Sequence, residues 1–318
     1  MSTPETRDPR KEFGNAVFAA AKNNPAVVAL SADSGGSSGL ADFQKTWPER
    51  YFEFGIMEQG VVGIASGLAT TGKIPVFCAI APFVTSRPYE MVRNDCGYMR
   101  QNVKIVGRNG GITYSDLGST HHSLEDFAIM SMIPGMVVLC PMDPNEIKNA
   151  VAAMIEYKGP VYMRIGNEPI PVFTEDKPFT IGKASLLREG GDLSIIATGT
   201  LCYPALRAAE ELAGKGIKAE VLGMPTISPI DEEAIAASAK KTGRILTVEE
   251  HYIPGGLGSI VAGVTARIHP VPVHQLGIPR AYAGNGPYRD LMAYYGLDAA
   301  GIAKAAAGFC GKESAGIR

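Results

Sequence analysis

The sequence predicts an α/β protein made of two doubly wound domains, the second smaller than the first. Two observations carry that prediction. Short apolar runs of strand length alternate with helical patterns almost from end to end, the pattern of parallel sheets wrapped by helices. The alternation breaks once, over 167–183, where Pro169, Pro171 and Pro178 are interleaved with acidic residues, and then restarts. The domains are therefore expected at 1–170 and 184–318, with a linker at 171–183.

Each element has a local reason. The runs at 26–30, 75–80, 103–106, 136–139 and 161–163 are continuously apolar or nearly so, as strands buried on both faces must be. Between them the 3.6-residue pattern predicts helices over 12–22, 58–70, 88–100, 123–132 and 144–157. The last opens with Asp143-Pro144, a side-chain cap followed by proline at the first helical position. After the break, strands are expected at 193–197, 219–222 and 244–248, with helices at 203–213 and 231–240.

Composition narrows the function. Lys and Arg number 30 against 32 Asp and Glu, which gives a nucleic acid or an anionic membrane no electrostatic hold. Cys78, Cys96, Cys140, Cys202 and Cys310 are scattered, without the CxxC spacing of a zinc site or the density of a disulfide frame. The polar N-terminus has no signal-peptide core and no run reaches membrane-spanning length. A cytoplasmic protein with reduced thiols, no membrane and no metal ligands of its own is expected.

Chemistry is sought beyond the carboxyl ends of the strands, where open α/β sheets bind ligands. Glu58 is the one acid in an otherwise apolar or small-residue segment, 54–69, that holds no Lys or Arg. An unpaired buried carboxylate is costly, so Glu58 reads either as a solvated helix start or as a group whose proton has a use. Ser37 lies in a hydroxyl- and glycine-rich loop after the first strand that lacks any nucleotide-loop pattern. The loop 107–123 carries Asn109, Asp116 and the adjacent His121 and His122. A histidine there can exchange protons near neutral pH, or simply cap the helix that follows. Phe83 and Arg87 follow the strand ending at Ile80, an aromatic face for a flat heterocycle or ordinary packing. Arg164 ends its strand, where it can clamp an anion or pair with a structural acid. Gly60, Gly63, Ser66 and Gly67 give one helix a small-residue face suited to close packing against a helix or subunit.

The segments Tyr51–Gln59, Phe83–Arg93, Gly118–Asp126, Pro141–Glu146 and 248–259 occur in this order, and together they resemble the thiamine-diphosphate-dependent transketolases. The likeness spans nearly the whole chain: a pyrimidine-binding domain, then a transketolase C-terminal-like domain. It implies that Glu58 is the carboxyl group that hydrogen-bonds pyrimidine N1′ of thiamine diphosphate, a role that needs an apolar setting. It further implies Phe83 and Arg87 beside the pyrimidine and His121 on the donor sugar near C1. Arg164 would hold a phosphate end, with Ser37, Asn109 and Asp116 also towards substrate.

The diphosphate-binding domain with its Gly-Asp-Gly motif does not occur in this sequence. The resemblance therefore implies a subunit of a two-component enzyme: an N-terminal diphosphate-binding partner bringing the Mg²⁺ ligands, and an α2β2 assembly around a homodimer of this chain. Asn109 and Leu117 depart from a histidine and an aspartate common in the family, which points to an altered sugar substrate. The alternatives are the β-subunit of a 2-oxoacid dehydrogenase, a deoxyxylulose-phosphate-synthase-like enzyme, and a non-catalytic binding module.

Overall fold

A computed structural model describes residues 4–311; the outermost ends of the two expected domains, 1–3 and 312–318, lie outside the described residues. Eight strands occupy the first half: β1 (Thr6–Arg7), β2 (Val27–Ser31), β3 (Tyr51–Glu53), β4 (Ile74–Ile80), β5 (Lys104–Arg108), β6 (Val137–Leu139), β7 (Val161–Arg164) and β8 (Ile170–Pro171). Six follow: β9 (Ser185–Arg188), β10 (Leu193–Ala197), β11 (Ala219–Gly223), β12 (Thr226–Ser228), β13 (Ile245–Tyr252) and β14 (Val273–Ile278). The first large sheet runs β12-β6-β7-β5-β4-β2-β3 and the second β14-β13-β10-β11-β9, both parallel except at β12 and β9. This is the doubly wound α/β pair the alternation predicts.

The first sheet is buried on both faces, and alternation along β5 shows it. Ile105 joins Val61, Val62, Ala65, Phe127 and Met130 on one face. Val106 joins Phe13, Val17, Ile147 and Val151 on the other. Such strands leave no polar face, which is why their sequences read as unbroken apolar runs. Helix Pro9–Asn23 starts at Asp8, whose carboxylate accepts from Arg10 N at 2.9 Å. Helix Pro144–Glu156 starts at Asp143, which accepts from Glu146 N at 2.9 Å. The four thiols Cys78, Cys96, Cys140 and Cys202 are buried, and burial pushes Cys78 up to about 11 and Cys96 and Cys140 to about 12.

Two helices differ from the sequence reading. The single helix expected over 88–100 is a short turn, Tyr89–Met91, followed by a wide π-type turn, Val92–Tyr98. Ser66 Oγ donates to Asp95 O at 2.8 Å, so the small-residue helix Glu58–Thr70 grips this widened segment within its own chain. The helix expected from Ser123 begins at Asp126, because Ser123 is held in a bridge with Gly111 by bonds of 2.8 and 3.1 Å. The region around 171–183 is also pinned: β8 pairs with β1, and Asp143 Oδ2 accepts from Phe173 N (2.9 Å) and Thr174 N (2.8 Å). Beyond it β12 crosses back to extend the first sheet. No helix among the described residues is long and apolar enough to cross a membrane.

Candidate active site

Glu58 opens helix Glu58–Thr70 and is only 3% exposed. The expectation that it lacks a basic partner is corrected by the tertiary structure. Arg87, 29 residues further on, donates from Nη1 to Glu58 Oε1 at 2.7 Å. The other carboxylate oxygen, Oε2, accepts no hydrogen bond among the described residues. Arg87 also lies over the Phe83 ring, 3.9 Å from its centroid. Phe83 meets the His121 ring edge-on at 5.3 Å, and His121 meets Tyr114 in the same way at 5.5 Å. Glu58, Arg87, Phe83 and His121 thus form one continuous strip. It is built from the start of a helix, the turn after β4 and the loop after β5. The His121 ring is partly exposed, with Nδ1 2.9 Å from Thr120 Oγ1. The adjacent His122 faces inward: both its ring nitrogens are buried without a hydrogen-bond partner among the described residues. Burial, reinforced by His121, lowers its pKa.

Arg164 is placed differently from the expectation that it holds a substrate anion. It is 5% exposed, its Nη1 donates to Asp126 Oδ1 at 3.0 Å, and its Nη2 donates to Glu250 O at 2.6 Å. Its guanidinium lies over Phe127, 4.4 Å from the ring centroid. Tyr162 Oη donates to the other oxygen of Asp126 at 2.6 Å. Burial opposes the charge on Arg164, but Asp126 and its neighbours outweigh it and hold the guanidinium above its ordinary pKa. This is the ion-pair alternative. The pair supports the glycine-rich loop from behind: a side chain at Gly110 would strike Arg164, and one at Gly111 would strike the Glu250 carboxyl group. Gly111 also needs its φ of +65°, which glycine adopts without strain. Glu250 Oε1 accepts from Ile112 N at 2.7 Å and ties the loop to β13. Burial raises the Glu250 pKa, and Arg164 offsets part of the rise.

Ser37 and Asn109 come together through Arg108, a residue the sequence reading passed over. Arg108 donates from Nη2 to Ser37 Oγ (2.7 Å), from Nη1 to Asn109 Oδ1 (2.9 Å) and from Nε to Ser38 Oγ (3.2 Å). The signal for it was available, since Arg108 ends a strand just as Arg164 does. Asp116 is exposed on the outer part of the loop and makes no hydrogen bond to His121 among the described residues.

The strip fits the pyrimidine half of thiamine diphosphate. It offers a carboxylate oxygen without a partner, on an otherwise buried residue fixed by Arg87, with an aromatic ring beside it. Among the described residues no group of three or more His, Cys, Asp or Glu is placed to hold a metal ion.

Two α/β domains, the first with a buried carboxylate beyond β3 and an aromatic ring beyond β4, fit the class of thiamine-type enzymes with a pyrimidine-binding domain. Residues 5–170 match the transketolase pyrimidine-binding domain and residues 182–302 the transketolase C-terminal domain. The chain belongs to the transketolase family, whose enzymes depend on thiamine diphosphate. It is 43% identical to an apulose-4-phosphate transketolase subunit from Phocaeicola vulgatus, over 95% of this chain and 97% of that one. It is 42% identical to the 6-deoxy-6-sulfo-D-fructose transketolase subunit of Clostridium sp. strain MSTE9, over 90% of this chain and 89% of that one. Its structure resembles a solved split-gene transketolase described as an inactive beta4 tetramer. The TM-score is 0.88 and the identity 37%, covering 94% of this chain and 96% of the other.

Proposed function

We propose that this chain is the C-terminal component of a two-chain transketolase, which moves a two-carbon ketol unit from a ketose to an aldose. The observation that carries this reading is Glu58: buried, fixed by Arg87 through one oxygen and open at the other, beside the Phe83 ring. When bound, thiamine diphosphate supplies the carbon nucleophile for ketol transfer. Glu58 Oε2 holds or shares a proton at pyrimidine N1′, and burial keeps water from competing for that bond. Phe83 presents an aromatic face to the ring. His121 reaches donor oxygens near C1, and the Ser37–Asn109 side of the site faces the far end of the sugar.

The diphosphate and Mg²⁺ are assigned to a partner chain with its own diphosphate-binding domain. Ile56, 73% exposed, and Met57 lie immediately before Glu58, an apolar surface suited to cover by that partner. The assembly is proposed as α2β2 around a homodimer of this chain, working in the cytoplasm. Relatives named for a sugar 4-phosphate and a sulfo-sugar support an anionic sugar as substrate.

Thermal unfolding with and without thiamine diphosphate and Mg²⁺ tests the reading. The cofactor should raise the melting temperature strongly only when the diphosphate-binding partner is present. Equal stabilisation of the isolated chain would count against a shared site.

A further inference from the structure

We propose that the loop 279–287 of the second domain, anchored by Tyr282, is a docking surface for the diphosphate-binding partner chain; this rests on the two-component reading above. Tyr282 is 88% exposed, and Leu117 on the site loop is 47% exposed. Single exposed apolar side chains are ordinary, so their position decides the matter. These two stand on either side of a seam where the domains meet. Ser119 Oγ donates to Ala283 O at 2.6 Å and Gly286 N to Ser115 O at 3.0 Å. A Cβ on Gly118 would lie 3.3 Å from Asn285 Cβ. Both large apolar side chains are left outside this closed seam.

Contacts trace a path from the seam to Glu58. Burial raises the pKa of Tyr252, and Glu125 and Tyr282, whose charges both reach it, raise it further. Glu125 Oε1 accepts from Ser86 Oγ at 2.9 Å, and Ser86 precedes Arg87, the partner of Glu58. Ile56 and Met57, 73% and 42% exposed, adjoin Glu58 at the far end of the path. The half-site selects the occupant: the chain that completes the cofactor site has to approach over Glu58. A stable interface covers about 800 Å² of each partner, roughly 20–30 residues a side, so cover centred on Glu58 runs on along this path.

Tyrosine, with an apolar body and a polar tip, is a residue type that such interfaces bury as an anchor. Arg280 and Asn285, both exposed, place polar groups around it, as the rim of an interface does. Docking here also bears on the chemistry. The loop that carries His121 is bonded to 279–287 at Ser115 and Ser119, so a partner seated on Tyr282 holds the two loops together while it fills the cofactor site.

The test is binding of the purified diphosphate-binding chain to this chain, with thiamine diphosphate and Mg²⁺, read by interferometry rather than turnover. Tyr282→Asp should weaken binding about tenfold or more, and Tyr282→Phe by less than about threefold. Leu186→Ala, at an exposed apolar position on β9, should bind as wild type. With enough partner to saturate the weakened complex, kcat of Tyr282→Asp should return to within about threefold of wild type, because the residue docks and does not react. Hydrogen exchange on the wild type needs no variant: amides of 114–121 and 279–287 should slow when the partner binds. Unchanged binding by Tyr282→Asp, or no protection in 279–287, would overturn the proposal and leave the two-component reading standing. A changed oligomeric state of Tyr282→Asp without the partner would assign the patch to a second copy of this chain and overturn it as well. No binding by the wild type would remove the two-component reading and this proposal together.

Discussion

Glu58 and Arg87 are the two ends of one hydrogen bond, yet only one of them is conspicuous in the sequence. An acid standing alone in an apolar segment marks itself, whereas its partner comes from 29 residues away by a turn after β4. Glu58→Gln should leave the melting temperature near wild type while cutting ketol transfer in the assembled enzyme by orders of magnitude. Activity within about threefold of wild type would remove Glu58 from its role. Arg164 illustrates the opposite outcome. Its position at a strand end is compatible with anion binding or with an ion pair, and the choice depends on Asp126 and Glu250, which come from two other elements. Removing Arg164 strands the Asp126 carboxylate in the interior, a loss of about 3–5 kcal/mol. Arg164→Ala should therefore lower stability and depress turnover of charged and uncharged sugars alike. A KM effect confined to charged sugars, in a variant as stable as wild type, would restore it to the substrate.

At the scale of elements, helix and strand periodicity located most of the parallel framework. The buried strands β2, β4, β5, β6 and β7 fall on the predicted apolar runs, and helix Glu58–Thr70 spans the predicted residues. What periodicity missed is set by contacts between elements. The widening at Val92–Tyr98 accompanies the Ser66 bond to Asp95, and the late start of helix Asp126–Ser131 reflects the Gly111–Ser123 bridge. Both are long-range in sequence. Helix Pro144–Glu156 carries a pH-dependent group in its first turn. Glu146 Oε2 accepts from Met142 N at 2.9 Å, and burial pushes its carboxyl group up to about 7 from near 4.5. A raised acid holds its proton more firmly in the folded chain than in the unfolded one. Its contribution is complete below about pH 4.5 and is lost as pH rises through about 7. Glu146→Gln should therefore gain on wild type by on the order of 1–3 kcal/mol between pH 5 and pH 8. Urea unfolding across that range measures it, and a stability difference that does not change with pH would contradict it.

In the whole molecule the second domain helps to hold the first domain's site loop. Ser119 Oγ donates to Ala283 O at 2.6 Å, Gly286 N to Ser115 O at 3.0 Å, and Tyr252 N to Leu124 O at 2.9 Å. With Glu250 on Ile112 N, these bonds fasten both ends of the loop that carries Asn109 and His121. The sequence reading placed chemistry on that loop without revealing its support, because every one of these bonds crosses between the domains. β12 binds them further by adding its strand to the first sheet. On the proposed reading the site serves a pyrimidine ring and a sugar and leaves the diphosphate to a partner chain.

Ketol transfer by purified chain, with and without the diphosphate-binding partner, at saturating thiamine diphosphate and Mg²⁺, tests that division most directly. The account predicts no transfer by the chain alone, transfer on addition of the partner, and its loss again when the added chain carries Glu58→Gln. Turnover by the highly purified chain alone would contradict it.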